Sequence, residues 1–159
     1  MAGTTLTGMA SPGWLRLRAN LWPPFIGAGI RVEHIGSDFR SITVAMRQRW
    51  YNRSLLGARS GAPLYAMTGP FFALMVRQSL SADYMVWEKA GSIEYLAAVR
   101  GRAWARLELL EEDMQQIRRM TANGDKHLHL FSVDVRDDEG MAIARIEKMI
   151  YVRRKRSAA

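Results

Sequence analysis

His127 and His129 stand two apart, Glu88 lies within Trp87-Glu88-Lys89, and Lys148 interrupts the alternation Ala142, Ala144, Ile146, Ile150, Val152. These are the side chains whose type and spacing suggest chemistry. Two histidines on one strand, with Asp125 near, could bind a metal, but no third ligand is placed for it and a solvated strand face is the plainer reading. No metal is expected. Glu88 could act as a general base; Thr68 could position a water, although an unassisted hydroxyl is a poor base. A lysine within an apolar series predicts a bulge or an internal ion pair. Arg153-Arg154-Lys155-Arg156 could grip phosphate, because guanidinium forks match its oxygens bidentately. No glycine-rich phosphate loop, nucleophile elbow or Ser-His-Asp spacing is present.

Composition narrows the classes. In 159 residues, 48% are hydrophobic and 24% charged, an ordinary globular balance that excludes wholesale disorder. Zero cysteines exclude disulfides and thiolate metal sites. Lys and Arg number 23 against 15 acids, a net +8, with residues 1–60 holding eight Arg but only Glu33 and Asp38. Such a surface favours polyanions: nucleic acid, anionic lipid, or the phosphates of a nucleotide-bearing ligand. Nucleic acid is the least favoured of these readings. No secretory signal is visible, and the longest uncharged stretch, Ser60–Val76, is broken by Gly61, Pro63, Gly69 and Pro70. A membrane span needs about 20 mostly apolar residues, so a buried helix and a cytoplasmic protein are expected.

The elements that must position these residues follow from periodicity. Trp14–Trp22 predicts one or two helical turns, stopped by Pro23-Pro24. Ile30, Val32 and His34 alternate with Arg31, Glu33 and Ile35; Ile42, Val44 and Met46 face inward on a second strand, with Ser37-Asp38 as the hairpin turn. Leu64, Met67, Phe71, Leu74 and Met75 recur at helical spacing, predicting one long helix to Ser79, covered nearly all round and kinked at Pro70. Tyr84 to about Ala97 is a long strand in which Gly91 marks a bulge or the close approach of another backbone. Ala103, Ala105, Leu107 and Leu109 face one way on the next strand. Glu111–Met120 is a short helix closed by Asn123-Gly124. Lys126–Val135 and Met141–Arg153 form a final hairpin.

One helix can bury an antiparallel sheet of about six strands only if the sheet curls around it. That is an α+β hot-dog fold, a curved sheet wrapped on an apolar helix. It comprises residues 21–153, between an N-terminal extension at 1–20, partly flexible, and a basic tail at 154–159. Its uncovered edge strand predicts a homodimer.

Trp50-Tyr51-Asn52-Arg53, Gly57 and the run Gly61-Ala62-Pro63-Leu64-Tyr65-Ala66-Met67-Thr68-Gly69-Pro70-Phe71-Phe72 resemble the helix motif of a bacterial hot-dog family, acyl-CoA thioesterase-like and largely uncharacterised. Leu21-Trp22-Pro23-Pro24-Phe25, Tyr84–Ala90 and Ile150–Arg154 resemble its other recurrent segments. The resemblance implies an acyl thioester ligand such as acyl-CoA and no resident cofactor. It places Asn52 and the amides of Gly61 and Ala62 at the thioester carbonyl, where a helix N-terminus can stabilise an oxyanion. Thr68 and Glu88 complete the catalytic candidates. Arg59, Ser60, Tyr65, Gly69, Lys148, Arg153 and Arg154 are the ligand-binding ones. The family usually carries an acid two turns into the helix; here that place falls on Gly69, and Arg59 or Ser60 stands where a histidine is common. Hydrolysis therefore lacks its ordinary base. The alternative is an acyl-ligand or lipid-binding module without catalysis.

Overall fold

The computed structural model describes residues 11–47, 62–99 and 101–155. Helix α1 spans Pro12–Leu21, capped by Ser11, whose hydroxyl accepts from Trp14 N–H at 3.3 Å. Pro23-Pro24 stops it as expected. The same pair opens a further helix, α2 (Pro23–Ala28), because a first turn has no use for the missing N–H. Strands β1 (Ile30–Ile35) and β2 (Ser41–Arg47) form the anticipated hairpin. One inward assignment changes. A register shift between Val32 and His34 leaves His34 exposed and turns Ile35 into the core, since one extra residue reverses the alternation.

The expected long helix is two helices. Gly69 adopts φ +31° and its N–H bonds to Ala66 O at 3.0 Å, an early closure that ends α3 (Ala62–Thr68). Pro70, with no N–H to donate, then starts α4 (Phe71–Ser79), whose ladder resumes with Leu74 N–H to Pro70 O at 2.9 Å. Closing early leaves the Tyr65 carbonyl without its usual partner, and Thr68 Oγ1 donates to it at 2.9 Å. Nor is this rod covered all round. Leu64, Met67, Phe71, Phe72, Met75 and Val76 are buried, whereas Ala66 and Pro70 are exposed and Ala73 and Leu74 half-buried.

Four more strands and a helix complete the chain: β3 (Tyr84–Tyr95), β4 (Arg102–Glu108), α5 (Glu111–Thr121), β5 (Lys126–Asp137) and β6 (Ala142–Arg154). The sheet has six strands in the order β1-β2-β4-β5-β6-β3, all pairs antiparallel. Its concave face holds the core around α3 and α4, with Ile42, Val44, Ala103, Ala105, Leu107, Ile146 and Ile150 sealed from water. Strands β4 and β5 pair only from Ala103–Asp137 to Ala105–Val135. Beyond that they part, and α5 packs Met114, Ile117 and Thr121 into the core.

The two sheet edges are treated differently. At β1 the side-chain amide of Asn20 imitates a neighbouring strand: it accepts from Val32 N–H at 2.8 Å and donates to Val32 O at 3.0 Å. Helix α1, with Leu15 and Ala19 packed on the core, thereby closes that edge and ties residues 12–21 to the sheet. Strand β3 has no such cover among the described residues; it pairs only with β6, and Trp87 and Tyr95 stay exposed. Asn20→Ala should lower stability by about 1–2 kcal/mol, because Val32 loses two partners at once. Urea unfolding measures this, and an unchanged midpoint would show that the edge does not depend on the amide.

Candidate functional site

Strand parity places Lys148 on the concave face, where it is 2% exposed. An ammonium there needs compensation, and three features supply it. Its Nζ donates to Glu88 Oε1 at 2.9 Å and lies 3.7 Å from the Tyr65 ring centroid, a cation–π contact. Tyr65 Oη donates to the same Glu88 oxygen at 3.0 Å. Thus a residue of α3 and one of β6 converge on a single carboxylate oxygen of β3.

A bulge makes this convergence possible. Glu88 pairs with Ile150 and Ala90 with Met149, so Lys89 is the extra residue of β3. In a regular strand Glu88 and Ala90 would share a face. The extra residue resets the phase, so that Glu88 and Gly91 both point inward. Gly91 lies opposite Lys148, and a Cβ there would collide with Tyr65 Oη while standing 3.0 Å from Glu147 O and 3.2 Å from Lys148 Cδ. The glycine is required because the tyrosine and the lysine stem occupy the space a side chain would need. Of the two explanations anticipated for Lys148, the internal ion pair is present; β6 keeps its alternation through Lys148, and the bulge lies on β3 instead. Lys89 is exposed and takes no part in the cluster.

The second oxygen, Glu88 Oε2, makes no hydrogen bond among the described residues. It is not among the buried unpartnered atoms, and the side chain is 28% exposed, so this oxygen reaches solvent. Chemically, the arrangement is a carboxylate fixed at one oxygen and open at the other, set against α3 by a strand.

The remaining candidates are dispersed. Asn52, Arg59, Ser60 and Gly61 lie outside the described residues; Ala62 is the first residue of α3. Thr68 is sealed from solvent with its hydroxyl hydrogen committed to Tyr65 O. Gly69 stands at the break between the helices, where a Cβ would lie 3.2 Å from Ala66 O, 3.5 Å from Phe25 and 3.7 Å from Phe71. An acid introduced there would meet a left-handed backbone and the rings of Phe25 and Phe71. Arg153 Nε donates to Gly124 O at 3.0 Å, and Arg154 Nε to Asp83 Oδ2 at 2.8 Å; neither touches Glu88. The hydrogen bond to Asp83 raises the Arg154 pKa, and Asp83 is lowered first by Ser81 and then by Arg154.

His127 and His129 require a correction: they do not form a solvated face. They belong to the inward series with Phe131, Val133 and Val135, and His129 is 6% exposed. His129 Nε2 lies 3.1 Å from Asp113 Oδ1 on α5 and its Nδ1 lies 3.3 Å from His127 Nε2. Asp113, not Asp125, is the acid they meet, and it also accepts from Leu110 N–H at the start of α5. Continuing the parity of β5 back from Val135 would have revealed the burial. Asp113 gave no comparable signal, since its approach to β5 depends on the packing of α5. Among the described residues no three His, Cys, Asp or Glu side chains are grouped to hold a metal.

Residues 14–152 match the family profile described as "Domain of unknown function (DUF4442)". The chain belongs to that family. No curated protein matches it. Its fold is similar to that of a Pseudomonas aeruginosa protein of unknown function described as a probable thioesterase, with TM-score 0.68 and 15% identity over 80% of this chain and 84% of the other. It is also similar to a thioesterase from Haemophilus influenzae, TM-score 0.65 and 14% identity over 92% and 93%. A glutamine-to-alanine variant of a second Pseudomonas aeruginosa thioesterase gives 0.65 and 13% over 93% and 97%. The family fold is therefore the hot-dog fold of thioesterase-like proteins, as the helix motif implied.

Two outcomes test the cluster. Glu88→Gln strands a fully buried ammonium and should cost about 3 kcal/mol, the lower end for a broken buried pair because Glu88 is partly open to water. Lys148→Met leaves a carboxylate that can rehydrate and should cost clearly less. Denaturant midpoints of the two variants check the order, and equal losses would mean that Lys148 is not held by this pair. The histidines predict a pH dependence. Burial, and then the neighbouring His129, hold His127 below the usual imidazole pKa. A depressed folded-state value means that the unfolded chain takes up protons first. Stability is fully present above the ordinary imidazole value and falls with pH between about 7 and 5. Thermal midpoints of the parent across that range should fall more than those of His127→Gln.

Proposed function

We propose that this protein binds an acyl thioester, of which acyl-CoA is the simplest form, in a slot between α3 and β3, and that Glu88 is the carboxylate that activates water there. The observation that carries this reading is the state of Glu88: one oxygen held by Tyr65 and Lys148, the other open to solvent. Among the described residues no other carboxylate hydrogen-bonds to α3 or α4. The acid that related thioesterase-like sequences carry on the helix is here presented to it by a strand. The resemblance assigns to the amides of Gly61 and Ala62, with Asn52, the role of polarising the thioester carbonyl. Water attacks the carbonyl carbon as Glu88 takes its proton, and the thiolate leaves.

The edge of β3, unpaired among the described residues, and the exposed Ala66 and Pro70 of the helix rod support a homodimer in which a second copy closes the slot. No helix among the described residues is long and apolar enough to cross a membrane, in keeping with a cytoplasmic site of action.

One observation favours the non-catalytic reading. Glu88 Oε1 already accepts from both Tyr65 and the buried Lys148, a structural duty that accounts for the position of this carboxylate without catalysis. A panel of acyl-CoA chain lengths, followed by calorimetric binding and by free-thiol release, separates the two. The enzyme reading expects thiol release by the parent and a loss of about 10²–10⁴-fold in Glu88→Gln with binding retained. Binding without release would make this an acyl-ligand module; neither binding nor release would end both readings.

A further inference from the structure

The convex face of the sheet carries an apolar patch that neither the core nor the proposed slot uses. Register places Trp87, Tyr151 and Leu128 in one cross-strand row on β3, β6 and β5, and Ala90, Met149 and Leu130 in the next. Trp87, Leu128 and Leu130 are 45%, 37% and 53% exposed. Trp87 and Tyr151 stack with ring centroids 4.0 Å apart and planes 14° from parallel.

The charges around the patch are arranged along the strands. At the end nearest the β3 start, Arg153 pairs in register with both Lys126 and Met85 on the outward face, whereas Lys89 protrudes from the bulge on β3 between the two apolar rows. None of these three cations has a carboxylate partner among the described residues. The acids of this face on β3, β6 and β5, Glu94, Glu147 and Asp134, lie at the other end, where Arg145 stands in register between Glu94 and Asp134. The result is an aliphatic and aromatic centre with unpaired positive charge on one side.

We propose that this face docks on an anionic lipid bilayer, Trp87 and the leucines entering the headgroup boundary while Lys89, Lys126 and Arg153 meet lipid phosphates. Trp and Tyr suit that boundary because each has an apolar body and a polar tip. Basic residues next to it gain from the negative surface potential. A second copy fits less well: two-fold pairing of this face would bring the same three cations into one interface from both chains. A nucleic acid fits less well too, because the two rings of the patch are stacked on each other and Leu128, Leu130 and Met149 beside them offer bases no further ring. The net +8 acts in the same direction as the local rim. The inference does not depend on the acyl-thioester reading.

Co-sedimentation of the full chain with vesicles tests it, using phosphatidylcholine alone and an equal mixture with phosphatidylglycerol. The parent should bind the mixed vesicles, release them as salt is raised, and ignore the neutral ones. Trp87→Ser and the pair Lys89→Glu with Lys126→Glu should each weaken binding by about tenfold or more, with far-ultraviolet circular dichroism unchanged. Should Trp87→Ser fail to fold, the charge-reversal pair decides alone. Failure of the parent to bind mixed vesicles, or equal binding by the charge-reversal pair, overturns the proposal. So does stronger binding to a single-stranded oligonucleotide, or a higher oligomer in sedimentation that the charge reversals strengthen.

Discussion

A lysine sealed inside an apolar sheet face imposes conditions on everything near it. Desolvating an ammonium costs several kcal/mol unless an opposite charge and further dipoles replace water. Here the replacement comes from three separate parts of the chain. Glu88 brings the charge, the Tyr65 ring brings its quadrupole, and the bulge at Lys89 brings the phase that lets Glu88 and Gly91 face inward together. Each condition explains a local irregularity that would otherwise weaken the fold. A glycine in mid-strand leaves room for the tyrosine, and an unpaired bulge residue turns the carboxylate toward the helix.

The helix side is shaped by a comparable constraint. Gly69 and Pro70 divide the rod, and Thr68 takes up the carbonyl that the division leaves unpaired. The break allows α3 to cross the middle of the sheet while α4 runs toward β3 and β6. Tyr65, on the last full turn before the break, is thereby set over Gly91. Sheet irregularity and helix irregularity thus meet at Glu88, which is why a carboxylate from a strand stands beside a helix that carries no acid of its own.

The two edges of the sheet show how the same constraint is met in two ways. An exposed edge offers unpaired N–H and C=O groups to any passing strand. At β1 the chain covers them itself, with Asn20 standing in for a strand. At β3 no described residue does so, and that edge adjoins both the Glu88 cluster and the open surface of the rod. The convex face beyond it is apolar at its centre and basic at one end, so the most chemically distinctive surfaces of the molecule all border the same strand.

Alternation and helical spacing in the sequence by themselves determined the class of fold: the inward rows of β2, β4 and β6, the apolar rod and the turn at Ser37-Asp38. They also singled out Lys148 as an anomaly, because one charged residue in an apolar period-two series is visible without coordinates. The partners were not visible. Glu88, Tyr65 and Lys148 are far apart in the chain, and their meeting depends on one bulge that shifts β3 by a residue. The inversion of His34 and Ile35 has the same origin in β1. The burial of His127 and His129 was present in the parity of β5, but the approach of Asp113 was set by how α5 fills the gap between β4 and β5. Periodic patterns record which face a residue prefers; which residues share that face in space is decided by register, and register is settled only when strands pair.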